Sequence, residues 1–291
     1  MSYDLYFFKR KETDLTRQGI ADYLTRNLNV AEANNQWIVE DEDTGTYFGF
    51  DLNQPDPETD EEYEDFDYTF FTFNLNFIRP DFFGIHAFRF VDQLVKDLDL
   101  YVLNPQEAAD TDNPVKPLAD ELYKNWSVLN ARHAADFFEE FKLNYLPLEK
   151  SNDAYFYRLN RKQLQEDLGE GYFVAGLYFY RKKSDNSIIT ISSWTDHIPN
   201  VFPPADYYLI TRQYKKLFRN VKESGLVSSQ ALFKRFAGLI EDFNFKNCKV
   251  IHPANAEKAK KLFNTMPLEY ALKDFAESVP VDKIVNSMHS N

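Results

Sequence analysis

The chain has 291 residues, a length that favours two modules over one. It holds 44% apolar and 27% charged residues, a globular rather than a disordered balance, and carries a net charge of −13. A single cysteine, Cys248, rules out an intrachain disulfide and any thiolate zinc cluster.

The charge is segregated. Residues 1–110 contain 24 acidic and 8 basic side chains, whereas the remainder contains 22 and 25. An acidic half repels nucleic-acid phosphates and attracts basic partners, so no nucleic-acid partner is expected. The start, Met1 to Arg10, has an acid at position 4 and no basic leader, unlike a secretory signal. No apolar run approaches a membrane span, and the lone cysteine suits a reducing compartment; the expectation is a cytoplasmic protein without membrane contact.

Taken in order, residues 2–8 alternate as a strand, with Tyr3, Leu5 and Phe7 on one face and Asp4, Tyr6 and Phe8 on the other. Thr16 caps a helix carrying Ile20, Tyr23, Leu24 and Leu28. Trp37–Val39 and Tyr47–Phe50 flank the acidic stretch 40–45 as a hairpin. Residues 56–67 include eight acids and read as an exposed loop. Residues 68–78 alternate again, with Phe71, Phe73, Leu75 and Phe77 sharing a face. A helix from Pro80-Asp81 and a short strand within 98–103 complete a β-α-β-β-β-α-β module over residues 1–105, its helices on one sheet face. Residues 106–117 read as a linker, and 118–291 as a second mixed module, giving an α+β class.

Within that second part the pattern predicts a helix over Leu118, Leu122, Trp126 and Leu129, running on through Phe137 and Phe141. Strands follow at 143–148 and 154–159, then a helix at 161–168 and a hairpin pairing 172–182 with 187–194. Tyr207–Tyr214 reads as a central strand, and Ser228 as the cap of a helix through Leu239. A strand at 247–251, a helix at 254–263 and a last helix from Pro267 end the chain.

No phosphate-cradling glycine loop, zinc-peptidase helix or nucleophile elbow occurs, so no cofactor or metal is expected. The histidines, His86, His133, His197, His252 and His289, lack metal-ligand spacing and read as packing or surface residues. Cys248 lies in a strand pattern and reads as an inert buried thiol. Arg212, Lys215, Lys216, Arg219 and Lys222 form a basic run that reads as a solubilising strand-to-turn segment.

Two candidate sites remain. The proline-stiffened segment Trp194–Asp206 places His197 near Asp196 and Asp206, a polar site suited to acid–base work or ligand binding. Alternation also puts Asp4, Tyr6, Tyr47, Asp51, Thr72, Asn74 and Asn76 on the polar sheet face, with Glu61, Glu62, Glu64 and Asp65 in the acidic loop. Tyrosine, asparagine and carboxylates together suit protein binding.

Ser2–Phe7, Phe77–Gly84 and Trp194–Arg212 resemble a family of bacterial cytosolic proteins to which no activity is attached. In its acidic α+β style the chain is also similar to immunity proteins encoded beside secreted bacterial toxins. The acidic N-terminal module points to a non-enzymatic protein that engages a basic partner, and the second likeness implies a toxin as its most concrete form. The alternative is an enzyme or small-ligand binder with its site near Trp194–Asp206.

Overall fold

In the computed structural model, residues 1–28, 32–55, 63–106, 113–118, 120–216 and 219–288 are described. The chain is α+β and divides into two compact units, Met1–Leu143 with Val285–Asn291, and Asn144–Ile284.

The first unit runs β1 (Ser2–Arg10), α1 (Arg17–Leu28), β2 (Gln36–Asp41), β3 (Thr46–Leu52), β4 (Phe66–Asn76), α2 (Phe82–Asp97), β5 (Tyr101–Leu103) and α3 (Glu121–Asp136). The expected β-α-β-β-β-α-β order is present, built into an antiparallel sheet of order β2-β3-β4-β1-β5. Alternating aromatics make its core. Tyr3, Leu5 and Phe7 of β1 and Phe71, Phe73 and Leu75 of β4 are buried together with Phe48 and Phe50. Phe73 packs on Phe48, Phe50 and Phe88 of α2 with ring centroids 5.4–6.0 Å apart. Burying such rings contributes more than area alone, because tilted and edge-on pairs are favourable.

Local chemistry sets the ends of these elements. The Thr16 hydroxyl accepts the Gly19 N–H at 3.1 Å and caps α1. The β2–β3 turn is closed by Asp41, whose carboxylate accepts the Thr44 N–H at 2.8 Å, and by Gly45 at φ 74°. Phe70 (φ 69°) sits by a register shift between Tyr6 and Phe8, and Phe8 is buried against Tyr63 and Tyr68, the second of which also touches Tyr6. Asp81 precedes α2 without capping it by its side chain. Its carboxylate instead accepts Tyr123 Oη at 2.6 Å and Ser127 Oγ at 2.7 Å, tying the start of α2 to α3.

The second unit comprises β6 (Asn144–Tyr145), α4 (Leu148–Leu168), β7 (Phe173–Val174), β8 (Tyr178–Lys182), β9 (Ile188–Thr195), β10 (Asn200–Phe202), β11 (Tyr207–Lys216), β12 (Arg219–Ser228), α5 (Ser229–Arg235), β13 (Glu241–Asp242), β14 (Lys249–Ile251), α6 (Pro253–Asn264), α7 (Leu272–Phe275) and β15 (Ala276–Ser278). One sheet has the order β12-β11-β9-β8-β15, and another β13-β14-β10-β7. Of the hairpin expected to pair 172–182 with 187–194, only β8 pairs with β9, while Phe173–Val174 lies parallel to β10 in the other sheet; β11 lies inside its sheet, parallel to β9.

Several local expectations fail. Helix α3 ends at Asp136 instead of running on through Phe141, and α5 ends at Arg235 instead of Leu239. Residues 154–159 are not a strand but the middle of α4, because Ser151, Ala154 and Tyr155 fall at helical spacing and all three are buried. The predicted strand 143–148 is accordingly only Asn144–Tyr145, since Leu148 begins α4. No helix starts at Pro267: the Glu269 N–H donates to the Leu226 carbonyl and the Leu226 N–H to the Tyr270 carbonyl, so this backbone lies along β12. Ser228 precedes α5 as expected, yet its hydroxyl donates to Glu269 at 2.9 Å instead of capping.

Gly84 of α2 lies where the Trp126 indole of α3 crosses, and a Cβ there would collide with the ring. Gly84→Ala is expected to destabilise the first unit by about 1–3 kcal/mol through overpacking. Urea unfolding followed by tryptophan fluorescence reads it directly, and an unchanged midpoint would contradict this packing.

Candidate functional sites

The antiparallel register lines up the polar face of the first sheet in rows. Gln36, Asp51, Thr72, Tyr6 and Leu103 form one row across β2, β3, β4, β1 and β5. Ile38, Gly49, Asn74 and Asp4 form the next. Asp51 accepts Gln36 Nε2 at 2.7 Å and Asn74 Nδ2 at 2.5 Å, while Asn53 Nδ2 donates to Thr72 Oγ1 at 2.6 Å. Gly49 leaves room for Asn74, since a Cβ would lie 3.3 Å from its Oδ1. Burial, then Tyr68 and Asp4, raise the Tyr6 phenol above its ordinary range, so Tyr6 is a neutral hydroxyl here.

Asp4, Tyr6, Asp51, Thr72 and Asn74 are thus brought together, with Asn76 opposite Ser2 at the end of β4. Tyr47 is not part of that network. It packs edge-on to Phe83 at 5.3 Å, with the Arg79 guanidinium over its ring. Asp65 lies at the far end of β1, 3.7 Å from Arg10, and Glu64 is exposed beside it. Glu61 and Glu62 lie outside the described residues. Lys9 pairs with Asp67, Lys96 with Asp92 and Lys116 with Asp99, each base belonging to the same unit as its acid.

The Trp194–Asp206 segment is built around a buried indole. Trp194 packs edge-on to Phe202, Phe236 and Phe263 at 4.7–5.1 Å, and its Nε1 donates to the Ile198 carbonyl at 2.8 Å. Asp196 and His197 both take left-handed backbone conformations. The two carboxylates diverge. Asp196 Oδ1 accepts the Gln213 N–H at 2.9 Å. Asp206 Oδ2 accepts the Thr190 N–H at 2.6 Å and Lys150 Nζ at 2.5 Å. His197 lies against Phe263, and burial, then Lys260, lower its pKa. The structure therefore does not assemble an Asp–His pair here. Beside the Lys150–Asp206 pair is a cleft of about 240 Å³ walled by Asp153, Leu177, Thr190 and Pro204.

The remaining titratable candidates serve packing. His86 is buried, with Nδ1 3.1 Å from Thr46 Oγ1 and its ring against Phe48 and Phe90. His133 lies against Phe77, and His252 Nδ1 is 2.7 Å from Tyr172 Oη; His289 lies outside the described residues. Burial pushes the Cys248 thiol up to about 12, which leaves negligible thiolate. Among the described residues no group of three or more His, Cys, Asp or Glu could hold a metal ion. No helix among them is long and apolar enough to cross a membrane.

In the basic run, Arg212 is buried and spans three partners. Its Nε and Nη2 donate to Glu223 Oε2 at 3.0 and 2.7 Å, and Nη1 donates to the Phe263 and Met266 carbonyls at the end of α6. Sequence reading missed this clamp because Arg212 and Glu223 meet only through the β11–β12 register. No protein-family model, curated protein or solved structure matches the chain.

Arg212→Met should cost about 1–3 kcal/mol, since it leaves the Phe263 and Met266 carbonyls without their donor, while the part-exposed Glu223 carboxylate can turn to water; chemical denaturation followed by tryptophan fluorescence measures it, and a neutral result would refute the clamp. A pH effect follows from His86. Burial lowers its folded-state pKa below 6.5, so the unfolded chain binds the proton more readily. Its contribution to stability is complete above about pH 6.5 and is lost as pH falls below that value. A His86→Phe protein should lose less stability than the parent between neutral pH and pH 5; equal losses would exclude His86 as the titrating group.

Proposed function

We propose that this protein is a non-enzymatic binding module whose acidic first unit captures a basic protein, most concretely as an immunity-type neutraliser of a basic toxin. One observation carries the reading. The first unit holds 30 acidic and 12 basic residues, a net of −18, whereas the second holds 16 and 21, a net of +5. The division into compact units therefore sharpens the asymmetry. Such a field accelerates encounter with a positive partner and rejects phosphate backbones. The polar rows around Asp4, Asp51 and Asn74 add hydrogen-bonding groups on a firm sheet surface.

A toxin that acts on nucleic acid carries a basic active face, and an acidic surface would cover it. A second reading, a small-ligand or enzymatic role at the cleft beside Lys150 and Asp206, draws on that cleft and its charged wall. It requires no basic partner, so one capture experiment separates the two.

The tagged full chain, used as bait in its native host at low and high salt, should retain a basic protein at low salt and release it at high salt. Exposed Glu40 and Glu42 changed to Lys should weaken that capture, and co-expression should protect cells from the partner. Absence of any salt-sensitive basic partner would overturn this reading and favour the cleft.

A further inference from the structure

We propose that the open edge of β2 receives an extended, lysine- or arginine-rich segment of the basic partner as an added strand. This deepens the reading of the first unit as an acidic capture module and rests on it.

The backbone hydrogen bonds define which groups of β2 are open. The sheet order places β2 outermost, with β3 on its other side. The Leu52 N–H donates to the Asn35 carbonyl, so residue 35 points toward β3. In an antiparallel ladder the direction alternates, and Trp37, Val39 and Asp41 therefore face β3 as well. Gln36 points away, and its N–H and C=O are closed by Ala33 through the tight turn at Asn34 and Asn35. Ile38 and Glu40 also point away. Among the described residues their N–H and C=O groups have no backbone partner.

The side chains indicate what would cover this edge. Ile38 is 53% exposed, an uncovered β-branched residue in the middle of the strand. Trp37 and Val39 are buried on the other face, so the strand is firmly seated. Glu40 and Glu42 are exposed at its hairpin end and Glu32 near its start. Opposite charges on neighbouring strands are favourable across a sheet, which selects lysine or arginine beside Glu40. A second copy is disfavoured as occupant, because it would bring another unit of net charge −18 against the first. Strand addition draws affinity from main-chain bonds and selectivity from alternating side chains, which fits a partner proposed on charge alone.

The test uses the full-length protein and a short peptide alternating lysine and threonine, with a glutamate–threonine peptide as control. The basic peptide should bind at low salt and slow amide exchange at Ile38 and Glu40, leaving Trp37 and Val39 unchanged. Ile38→Pro removes one outward N–H without touching the β2–β3 ladder, and should weaken binding roughly tenfold; Ile38→Thr, which keeps the N–H, should bind like the parent. Circular dichroism checks that the proline variant remains folded. Binding with no slowing at β2 and full affinity in Ile38→Pro would overturn the edge proposal while leaving the acidic-capture reading intact. No binding of the basic peptide at low salt would overturn both. Equal binding of the glutamate peptide would remove the charge selection. Protection at Ile38 that rises with protein concentration alone would identify a second copy as the occupant and sink the proposal.

Discussion

The register between β1 and β4 is the constraint on which the first unit depends. Tyr3, Leu5 and Phe7 alternate with Asp4 and Tyr6, and Tyr3 pairs with Leu75 as Asp4 pairs with Asn74. A slip of one residue would carry the whole aromatic set to the opposite face. The core and the hydrogen-bonded rows follow from this alignment, whereas the outward groups of β2 are set by its own register with β3. The β1–β4 alignment is held from both sides. Asn74 donates to Asp51 on β3, and the bulge at Phe70 absorbs the mismatch where β1 continues past Tyr6. The polar face thus helps to specify the register as well as presenting groups to solvent.

Much of the first unit is legible in the chain because its signals are local and period-two. Tyr3, Leu5 and Phe7 or Phe71, Phe73 and Leu75 can be assigned without knowing their neighbours. The second unit is harder. In α4, Tyr155-Phe156-Tyr157 looks strand-like, but the buried set at helical spacing, Ser151, Ala154 and Tyr155, includes a serine and an alanine that hydrophobic period-reading gives little weight. Pro267-Leu268-Glu269-Tyr270 has a helix-start composition, and only the backbone demands of Leu226 on another strand turn it away. The unit boundary falls at Leu143 and Asn144, with α3 counted in the first unit, whereas composition suggested a linker at 106–117. A proline-rich stretch marks where the chain cannot be helical; it does not report which side a later helix packs against.

The candidate sites separate along the same line. A polar sheet face follows from alternation, so Asp4, Tyr6, Asp51, Thr72 and Asn74 could be grouped before any coordinates. Proximity in sequence does not transfer so well to a loop. Asp196 and His197 are adjacent, yet the left-handed turn sends the Asp196 carboxylate to the Gln213 amide, and Asp206 is drawn to Thr190 and Lys150. Arg212 shows the reverse: a residue that looks like part of a surface charge run is a buried fork joining β12 to the end of α6. Asp196, Asp206 and Arg212 each bond backbone groups that would otherwise be left unsatisfied, which is costly where they are buried.

An acidic strand at a sheet edge has two physical meanings that need not conflict. Charge on an edge prevents indiscriminate pairing with other chains. The same charge, placed on Glu40 and Glu42 at the end of the strand, opposes identical units and would favour the positive strand proposed above. Exposed Ile38 between buried Trp37 and Val39 would be a hazard on a neutral protein. On a unit of net charge −18 an identical unit is repelled from that edge, and the proposed partner of opposite sign would relieve the repulsion.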